Sequence, residues 1–338
     1  MSSAPRLPDP RPDRRSDPRP DPRPDPRPDP PPGPRPGTVQ RIAPGIRRIL
    51  APNPSPMTYW GTNTFLVGTG RVTVIDPGPA SPTHMRAILD GLDRGERIDR
   101  ILVSHAHLDH SPLARPLAEA TGAKVYAFGG ATAGRSPVMQ ALAAEGFAGG
   151  GEGVDRTFVP DVRLADGEPV DVGDGIVLET LWTPGHFAGH LCFALAEAAG
   201  GVPGGVVFTG DHVMGWASTL ISPPDGDLTA YLGSCTKLAA RGDRVFLPAH
   251  GAAVEDPAVR LAWLVDHRRT REAQVLSALA KRPAKIPELV GAIYTDTDPR
   301  LLPAATRNVF AHLIDLEIRG RIRARPTLAP GATFERIG

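Results

Sequence analysis

The chain has 338 residues, of which 41% are hydrophobic and 22% are charged, and its formal net charge is +1 at pH 7. A charge so close to zero provides no strong global attraction to nucleic acid or to a membrane surface. The two cysteines exclude a disulfide scaffold and favour a reducing, cytoplasmic compartment, and no apolar run reaches the roughly 20 residues that a membrane span needs.

The first 37 residues differ in composition from the rest of the chain. Fifteen of the 39 prolines lie within residues 1–40, many of them in a repeated Asp-Pro-Arg-Pro pattern. Proline fixes φ and removes a hydrogen-bond donor, so this segment predicts neither a helix nor a sheet strand. Since it also has little apolar surface to bury, residues 1–37 are predicted to be a disordered tail, either a plain linker or a ligand for a proline-binding module.

The charges divide the rest of the chain into two parts. Residues 41–259 carry 16 basic and 23 acidic residues (net −7), whereas residues 260–325 carry 13 basic and 7 acidic residues (net +6). This asymmetry indicates two units with different roles. We therefore predict a larger domain over residues 38–258 and a small C-terminal domain over residues 259–338.

Short β-branched runs alternate with helix-start signals along the larger domain. Each of the pairs Ser81-Pro82 and Ser111-Pro112 predicts a helix with serine as the N-cap and proline in the first turn. The elements predicted in chain order are a hairpin over 65–75, a helix to about Leu92, a strand at 101–103, a helix to about Thr121, a strand at 124–128, a mobile insertion with one helix over 129–155, strands near 176–182, 190–196 and 205–209, a helix near 228–240 and a strand at 245–247. Strands interleaved with helices indicate an α/β fold.

The densest group of chemically active side chains follows the strand predicted at residues 101–103. It consists of His105, His107, Asp109 and His110, which are three imidazoles and one carboxylate within six residues. Alternate residues of an extended backbone share a face, so His105 and His107 are predicted to point the same way. Ligand types at this spacing, directly after a buried strand, favour a metal site over a solvated polar loop.

Three more candidate ligands lie in similar positions further along the chain. His186, Asp211 and His250 are each next to a glycine just past the end of a predicted strand. Side chains at strand ends in α/β folds meet in a shared crevice, so we expect these three to join the first group. The other histidines are predicted to have structural roles, at surface or packing positions of helices or beside the site: His84, His267, His312 and His212.

Together these motifs resemble those of the metallo-β-lactamase superfamily. The resemblance rests on Asp76-Pro77-Gly78, His105-x-His107-x-Asp109-His110, Thr183-Pro184-Gly185-His186, Gly210-Asp211 and His250-Gly251. It implies an αββα sandwich with metals at one edge of its two sheets. Within the superfamily, the segment Gly61-Thr62-Asn63-Thr64-Phe65 and the C-terminal region are most similar to the β-lactamase-like protein 2 group.

The resemblance also implies a role for each ligand. One metal would be held by His105, His107 and His186. A second would be held by Asp109, His110 and His250, and Asp211 would bridge the two. The expected cofactors are two Zn²⁺ ions, with Fe or Mn as alternatives for the same donors. Asp76 would orient a ligand, and His190 and Asn63 are candidates either for that supporting role or for contact with the substrate.

This ligand set predicts a dinuclear metal-dependent hydrolase. A hydroxide that bridges the metals would attack an ester, thioester, lactone or phosphodiester, with Asp109 or Asp211 orienting it. Three alternatives stay open: a single-stranded RNA endonuclease of the same fold, a mononuclear iron dioxygenase, and a non-catalytic nucleic-acid-binding protein. The expected partner is accordingly a small ester or thioester, or RNA.

The C-terminal domain is predicted to be a winged helix. Helices over 256–281, from Ile286 and over 303–319 precede a short strand at Arg321-Ile322-Arg323. Its alternating arginines give this strand a basic face that would suit nucleic acid. Because no aromatic stacking platform lies nearby in the sequence, packing against the larger domain is the favoured role. No membrane partner is expected, and a homodimer is left open.

Overall fold

A computed structural model describes residues 33–148, 153–173 and 175–337 of the chain. The predicted disordered tail falls mainly on residues 1–32, which lie outside the described residues. Residues 33–37, which that prediction also included, contact the main body. The Gly37 amide donates a hydrogen bond of 2.9 Å to the carbonyl of Leu50, and a side chain at Gly33 would collide with the Trp60 ring.

The first of two large sheets contains seven strands that lie side by side in the order of the sequence. They are β1 (Val39–Ala43), β2 (Ile46–Leu50), β3 (Asn63–Val67), β4 (Arg71–Ile75), β5 (Arg97–Leu102), β6 (Lys124–Ala127) and β7 (Val162–Arg163). Strands β1 to β4 pair antiparallel, including the predicted hairpin of β3 and β4. From β4 to β7 the neighbours are parallel, so their carboxyl ends lie at one edge of the sheet.

The second large sheet has five strands in the order β12-β11-β10-β9-β8. They are β8 (Pro169–Gly173), β9 (Ile176–Trp182), β10 (Leu191–Leu195), β11 (Val206–Gly210) and β12 (Val245–Pro248). Only β11 and β12 pair in parallel within this sheet. A separate antiparallel pair near the C-terminus is formed by β13 (Ile322–Arg325) and β14 (Thr333–Arg336).

The described residues also form seven α-helices and one 3-10 helix. The α-helices are α1 (Pro82–Asp90), α2 (Ala114–Thr121), α3 (Pro137–Ala144), α4 (Leu228–Ala239), α5 (Pro257–Lys281), α6 (Ile286–Ile293) and α7 (Leu302–Ile318), and the 3-10 helix is Pro299–Leu301. None of these helices combines the length and the apolar character that crossing a bilayer requires.

Apolar side chains from the two sheets meet in a shared core. Phe65 of β3 and Phe208 of β11 are each at most 3% exposed, and their ring centroids lie 5.1 Å apart in an edge-on arrangement. Helices cover the outer faces: Ile88 and Leu117 of α1 and α2 pack on the first sheet, and Leu238 of α4 packs on the second. These four layers confirm the predicted αββα sandwich.

The C-terminal helices and strands have a core of their own. Leu279 of α5, Leu313 of α7 and Phe334 of β14 are at most 3% exposed and belong to one apolar cluster. The cluster also includes Met139 and Leu142 of α3, the helix predicted within the insertion. Three helices followed by a β-hairpin confirm the predicted winged helix. Helix α3 of the insertion packs against this C-terminal core.

Ser111 does not cap a helix, so that prediction was wrong. Helix α2 begins at Ala114, its N-cap is Leu113, and no side chain caps it. Instead the Ser111 hydroxyl lies 3.1 Å from the His107 carbonyl and 3.0 Å from Asp155 Oδ2. The tight turn from His107 uses Ser111 to fix the loop that carries the candidate ligands. By contrast, Ser81 accepts from the His84 amide and caps α1 as predicted.

Buried His84 leads to a prediction about stability in acid. Burial lowers its pKa to about 4, and its Nε2 lies 2.8 Å from Thr64 Oγ1. Since the pKa of an unfolded histidine is near 6.5, the unfolded chain binds more protons between pH 6.5 and about 4. We therefore expect the free energy of unfolding to decrease as the pH is lowered from 6.5 to about 4. His84→Gln should reduce the slope of this free energy against pH by up to about 1.4 kcal/mol per pH unit. Urea denaturation at several pH values measures both slopes, and identical slopes would contradict this.

Candidate metal centre

Four loops at one edge of the sandwich carry the predicted ligands. Strand β5 leads into the loop of residues 104–111, and β9 leads into the loop that carries His186. Strand β11 ends immediately before Asp211, and β12 ends two residues before His250. The structure brings all seven predicted ligand side chains to this edge, and each is 6% exposed or less.

The first group of candidate ligands consists of His105, His107, His186 and Asp211. His105 Nε2 lies 2.8 Å from His107 Nδ1, so these two side chains point the same way as predicted. His186 Nε2 lies 3.1 Å from His107 Nδ1 and 3.6 Å from Asp211 Oδ2. Because four donors at about 2.1 Å from a tetrahedral ion lie about 3.4 Å apart, this spacing suits a small divalent cation.

The second group consists of Asp109, His110, His250 and again Asp211. His110 Nε2 lies 3.3 Å from Asp109 Oδ2, and His250 Nε2 lies 3.1 Å from the same oxygen. The Asp211 carboxylate contacts both imidazoles, at 3.6 Å from His110 Nε2 and 3.2 Å from His250 Nε2. Asp211 is thus shared by the two groups.

Several polar atoms of these groups are buried without a hydrogen-bond partner of suitable geometry. They are Asp109 Oδ1, His110 Nε2, Asp211 Oδ1 and His250 Nε2. A buried polar atom that lacks a partner costs free energy, and such atoms are rarely left unsatisfied. Their convergence in the second group, with nitrogen and carboxylate donors, fits a bound metal ion. Both groups are able to bind metal ions.

Asp76 holds the loop of residues 104–111 in place through hydrogen bonds to Ser104 and His110. Its Oδ1 accepts from the Ser104 amide at 2.7 Å, and its Oδ2 accepts from the Ser104 hydroxyl at 2.8 Å and from His110 Nδ1 at 3.1 Å. Since the hydroxyl hydrogen of Ser104 points to Asp76, Ser104 Oγ is free to accept from His105 Nδ1, which lies 3.0 Å away. Asp76 therefore leaves the Nε2 lone pairs of His105 and His110 facing the site, as its predicted orienting role requires.

Replacing Asp76 tests this supporting role. In Asp76→Asn the amide nitrogen cannot accept a hydrogen bond where Oδ2 now accepts two, so His110 loses its fixed orientation. We expect the affinity for Zn²⁺ to fall by about 10- to 100-fold, measured by competition with a chelator. Asp90→Asn, on the exposed end of α1, is the matched control and should bind Zn²⁺ like the unmodified chain. Equal affinities for the two variants would contradict the role of Asp76.

Main-chain carbonyls orient two other candidate ligands. His186 Nδ1 donates to the Leu220 carbonyl at 2.8 Å, and His250 Nδ1 donates to the Gly61 carbonyl at 3.0 Å. A carbonyl can only accept, so both rings carry a proton on Nδ1, and Nε2 is the nitrogen that faces the site and could bind a cation. Sequence reasoning missed both partners, because any residue type can supply a main-chain carbonyl.

Asn63 and His190 lie behind the site and not at its opening. Asn63 is 1% exposed and donates to the carbonyls of Pro248 and Gly251 at 3.0 and 2.9 Å, one on each side of His250. His190 has no exposed surface, and its Nε2 accepts from the Asp211 amide at 3.2 Å. Of the two roles predicted for these residues, the geometry favours support of the ligands over contact with a substrate.

The remaining histidines lie at packing positions. His84, His212 and His312 are at most 1% exposed, and the His212 ring lies 4.6 Å from the Tyr231 ring. His267 stacks on Trp263 of the same helix, with 5.1 Å between the ring centroids. None of these four is a member of the two candidate ligand groups.

Charges within the site change the pKa values of its members in opposite directions. Burial lowers the pKa of His107 to about 3, so this imidazole is neutral and able to act as a ligand. Burial also lowers the pKa of His250, but the carboxylates of Asp211 and Asp109 outweigh it and raise that pKa to about 10. The pKa of Asp109 is held below its ordinary value, because contacts with His110 and His250 outweigh the opposing effect of burial. The protein thus concentrates negative charge where a cation would bind.

Comparison with known families assigns two parts of the chain. Residues 57–250 match the model described as the metallo-beta-lactamase superfamily, and this range contains every candidate ligand. Residues 286–327 match the beta-lactamase associated winged helix domain.

Individual relatives agree with these matches. The chain is 31% identical over 308 residues to a Drosophila melanogaster protein named beta-lactamase-like protein 2 homolog, covering 84% of this chain and 92% of the relative. It is 31% identical over 249 residues to an Aspergillus chevalieri protein named atrochrysone carboxyl ACP thioesterase, covering 73% and 70%. A beta-lactamase domain protein from Burkholderia ambifaria has the same fold, with a TM-score of 0.72, 24% identity, and coverage of 89% and 94%.

Proposed function

The chain belongs to the metallo-beta-lactamase superfamily and is a hydrolase of that family, and from this premise we propose that it cleaves an acyl thioester at a centre of two Zn²⁺ ions. One observation carries the proposal of two metals: the Asp211 carboxylate belongs to both candidate groups. Its Oδ2 lies 3.6 Å from His186 Nε2 in the first group, and its Oδ1 lies 3.2 Å from His250 Nε2 in the second. An ion in one group alone would leave the buried donors of the other group without a cation.

In this proposal His105, His107 and His186 would hold one ion, Asp109, His110 and His250 would hold the other, and Asp211 would be a ligand shared by both. Two Zn²⁺ ions in these positions would supply Lewis acidity and a nucleophilic water with a pKa lowered to about 7. Asp109 and Asp211 remain ionised, because their contacts with histidines outweigh the effect of burial and hold both pKa values below the ordinary range. As ionised groups they would accept hydrogen bonds from the attacking water and orient it.

The surroundings of the candidate ligands favour an acyl substrate. Leu108, between two ligands in the sequence, is 45% exposed. The rings of Tyr59 and Trp216 stack with 4.6 Å between centroids, and Trp216 closely approaches Gly251, the neighbour of His250. Apolar and aromatic surface beside a cationic centre suits a substrate with an apolar body and a carbonyl group that becomes negatively charged during the reaction. The relative named a thioesterase supports the same substrate class.

The basic strand of the winged helix gives less support to an RNA substrate. Arg323 and Arg325 of β13 are exposed and alternate with buried Ile322 and Ala324, as predicted. However, Arg325 pairs with Glu335 at 2.7 Å. Arg319, at the end of α7 just before this strand, pairs with Glu272 and Asp315 at 2.6 Å each. These ion pairs neutralise part of the charge that phosphate recognition would need.

The proposal is tested by combining elemental analysis with a panel of substrates. We expect two Zn²⁺ per chain, hydrolysis of acyl thioesters with apolar acyl groups, loss of activity on removal of metal and recovery on return of Zn²⁺. Lactones and single-stranded RNA are tested in parallel. Preferential cleavage of RNA that weakens steeply with salt, or one iron per chain with consumption of O₂, would overturn the proposal in favour of a nuclease or a dioxygenase.

A further inference from the structure

A short segment after Asp211 contacts ligands of both candidate groups. The Thr219 hydroxyl lies 2.9 Å from the main-chain carbonyls of both Asp211 and His212 and shares its one hydrogen between them. In the next residue, the Leu220 carbonyl accepts from His186 Nδ1 at 2.8 Å. The position of residues 219–222 therefore determines both the main chain at Asp211 and the direction of the His186 ring.

Two residues of the C-terminal helices hold this segment in place. The Oδ1 atom of Asn308, in α7, accepts from the Ile221 amide at 3.1 Å and from Arg268 Nη1 at 3.1 Å. Arg268, in α5, is 2% exposed and donates through Nη2 to the Thr219 carbonyl. Asn308 Oδ1 thus joins the segment to the buried guanidinium of Arg268, and Arg268 contacts the segment a second time at the Thr219 carbonyl.

A third contact also joins α7 to this segment. Arg307, next to Asn308 in α7, has its Nη1 3.3 Å from Ser222 Oγ. The segment is therefore bound to α5 and α7 at Thr219, Ile221 and Ser222, on both sides of the carbonyl that orients His186. Hydrogen bonds that involve a charged donor are stronger than neutral ones and suit this fixing role.

We infer that Asn308 and Arg268 are positioning residues of the metal centre, through which the C-terminal unit sets the geometry of His186 and Asp211. The inference rests on the proposed metal centre and extends it to residues that lie outside the catalytic sandwich. It gives the C-terminal unit a part in hydrolysis, through the positions of these two ligands, that does not depend on nucleic acid. Residues that orient metal ligands from the second layer typically change metal affinity or activity by about 10- to 100-fold when they are replaced.

Two substitutions at Asn308, made in the 338-residue chain loaded with Zn²⁺, separate positioning from a general loss of structure. Asn308→Ala removes the shared acceptor, whereas Asn308→Asp keeps an oxygen that can accept from both Ile221 and Arg268. We expect Asn308→Ala to bind Zn²⁺ about 10- to 100-fold more weakly in competition with a chelator and to lower kcat more than it changes KM. Asn308→Asp should restore Zn²⁺ affinity to near that of the unmodified chain. Arg269→Ala, an exposed change on the same helix as Arg268, is the control and should have no effect.

The outcomes are distinguishable from failure of the proposed function. If the unmodified chain binds Zn²⁺ and Asn308→Ala binds it equally well with unchanged kcat, the inference is overturned and the metal centre stands. If the unmodified chain binds no Zn²⁺, the proposed centre is overturned together with the inference. Should Asn308→Ala not fold, Arg268→Lys tests the same contacts, because lysine keeps the charge but lacks the second nitrogen that joins Asn308 to the Thr219 carbonyl. Weaker Zn²⁺ binding by Arg268→Lys supports the inference, and binding equal to that of the unmodified chain overturns it.

Discussion

Asp211→Ala will lower hydrolysis by about 10³-fold or more, because this carboxylate is shared by both candidate groups. The metal ions would stabilise the transition state by several kcal/mol, and losing that stabilisation lowers the rate by a factor of this size. The variant should also retain fewer Zn²⁺ ions per chain than any variant that affects one group. Turnover of a thioester and elemental analysis of the purified variant measure the two effects.

His107→Ala and Asp266→Ala complete this comparison. His107 belongs to the first group alone, so its removal should abolish hydrolysis while the chain stays folded and the second group still binds one ion. Asp266 is a surface residue with a 74% exposed side chain, and its replacement should leave both metal content and turnover unchanged. Retention of two ions and of activity by Asp211→Ala would contradict the assignment of the shared ligand.

Phe208→Ala will destabilise the sandwich by about 3–5 kcal/mol. The Phe208 ring is 2% exposed and contacts Phe65 edge-on across the two sheets, so truncation leaves a cavity between layers that do not collapse freely. Typical domains are stable by only about 5–15 kcal/mol, and this loss is therefore a large share of the total. Chemical denaturation, with the dependence on denaturant concentration compared between variants, gives the value.

A control on the same sheet distinguishes the core from the surface. Val177 of β9 is 47% exposed, and Val177→Ala should change the free energy of unfolding by no more than about 0.5 kcal/mol. Because Phe65 and Phe208 touch, their combined replacement should cost less than the sum of the single changes. A loss below about 1 kcal/mol for Phe208→Ala would show that this contact contributes little to joining the sheets.

The sequence was most informative where chemistry and topology coincide. Each candidate ligand directly follows a strand or lies in a loop just after one, and strand ends at one edge must converge. His186, Asp211 and His250 could therefore be grouped with the 104–111 loop without knowledge of any contact. The N-cap Ser81 was equally visible, since capping depends on residues within one turn of the helix.

Features that depend on distant partners could not be predicted in this way. Strand β2 contains Arg47, which is 3% exposed because Glu96, far along the chain, pairs with it at 2.6 Å. The adjacent arginines Arg47 and Arg48 make the sequence of β2 too polar to be predicted as a buried strand unless the pairing with Glu96 is known. Likewise, Ser111-Pro112 has the form of a helix start, but the His107 carbonyl and Asp155 compete for the hydroxyl. Local propensity is overridden by tertiary contacts in both cases.

The position of α3 affects how the protein can be divided. Met139 and Leu142 lie in the chain segment between β6 and β7 of the sandwich, but they are buried against residues near the C-terminus. During synthesis this helix emerges from the ribosome long before its covering partners exist. A fragment that stops before α6 would leave both side chains in water, so shortened versions of this protein should aggregate even though every candidate ligand is present.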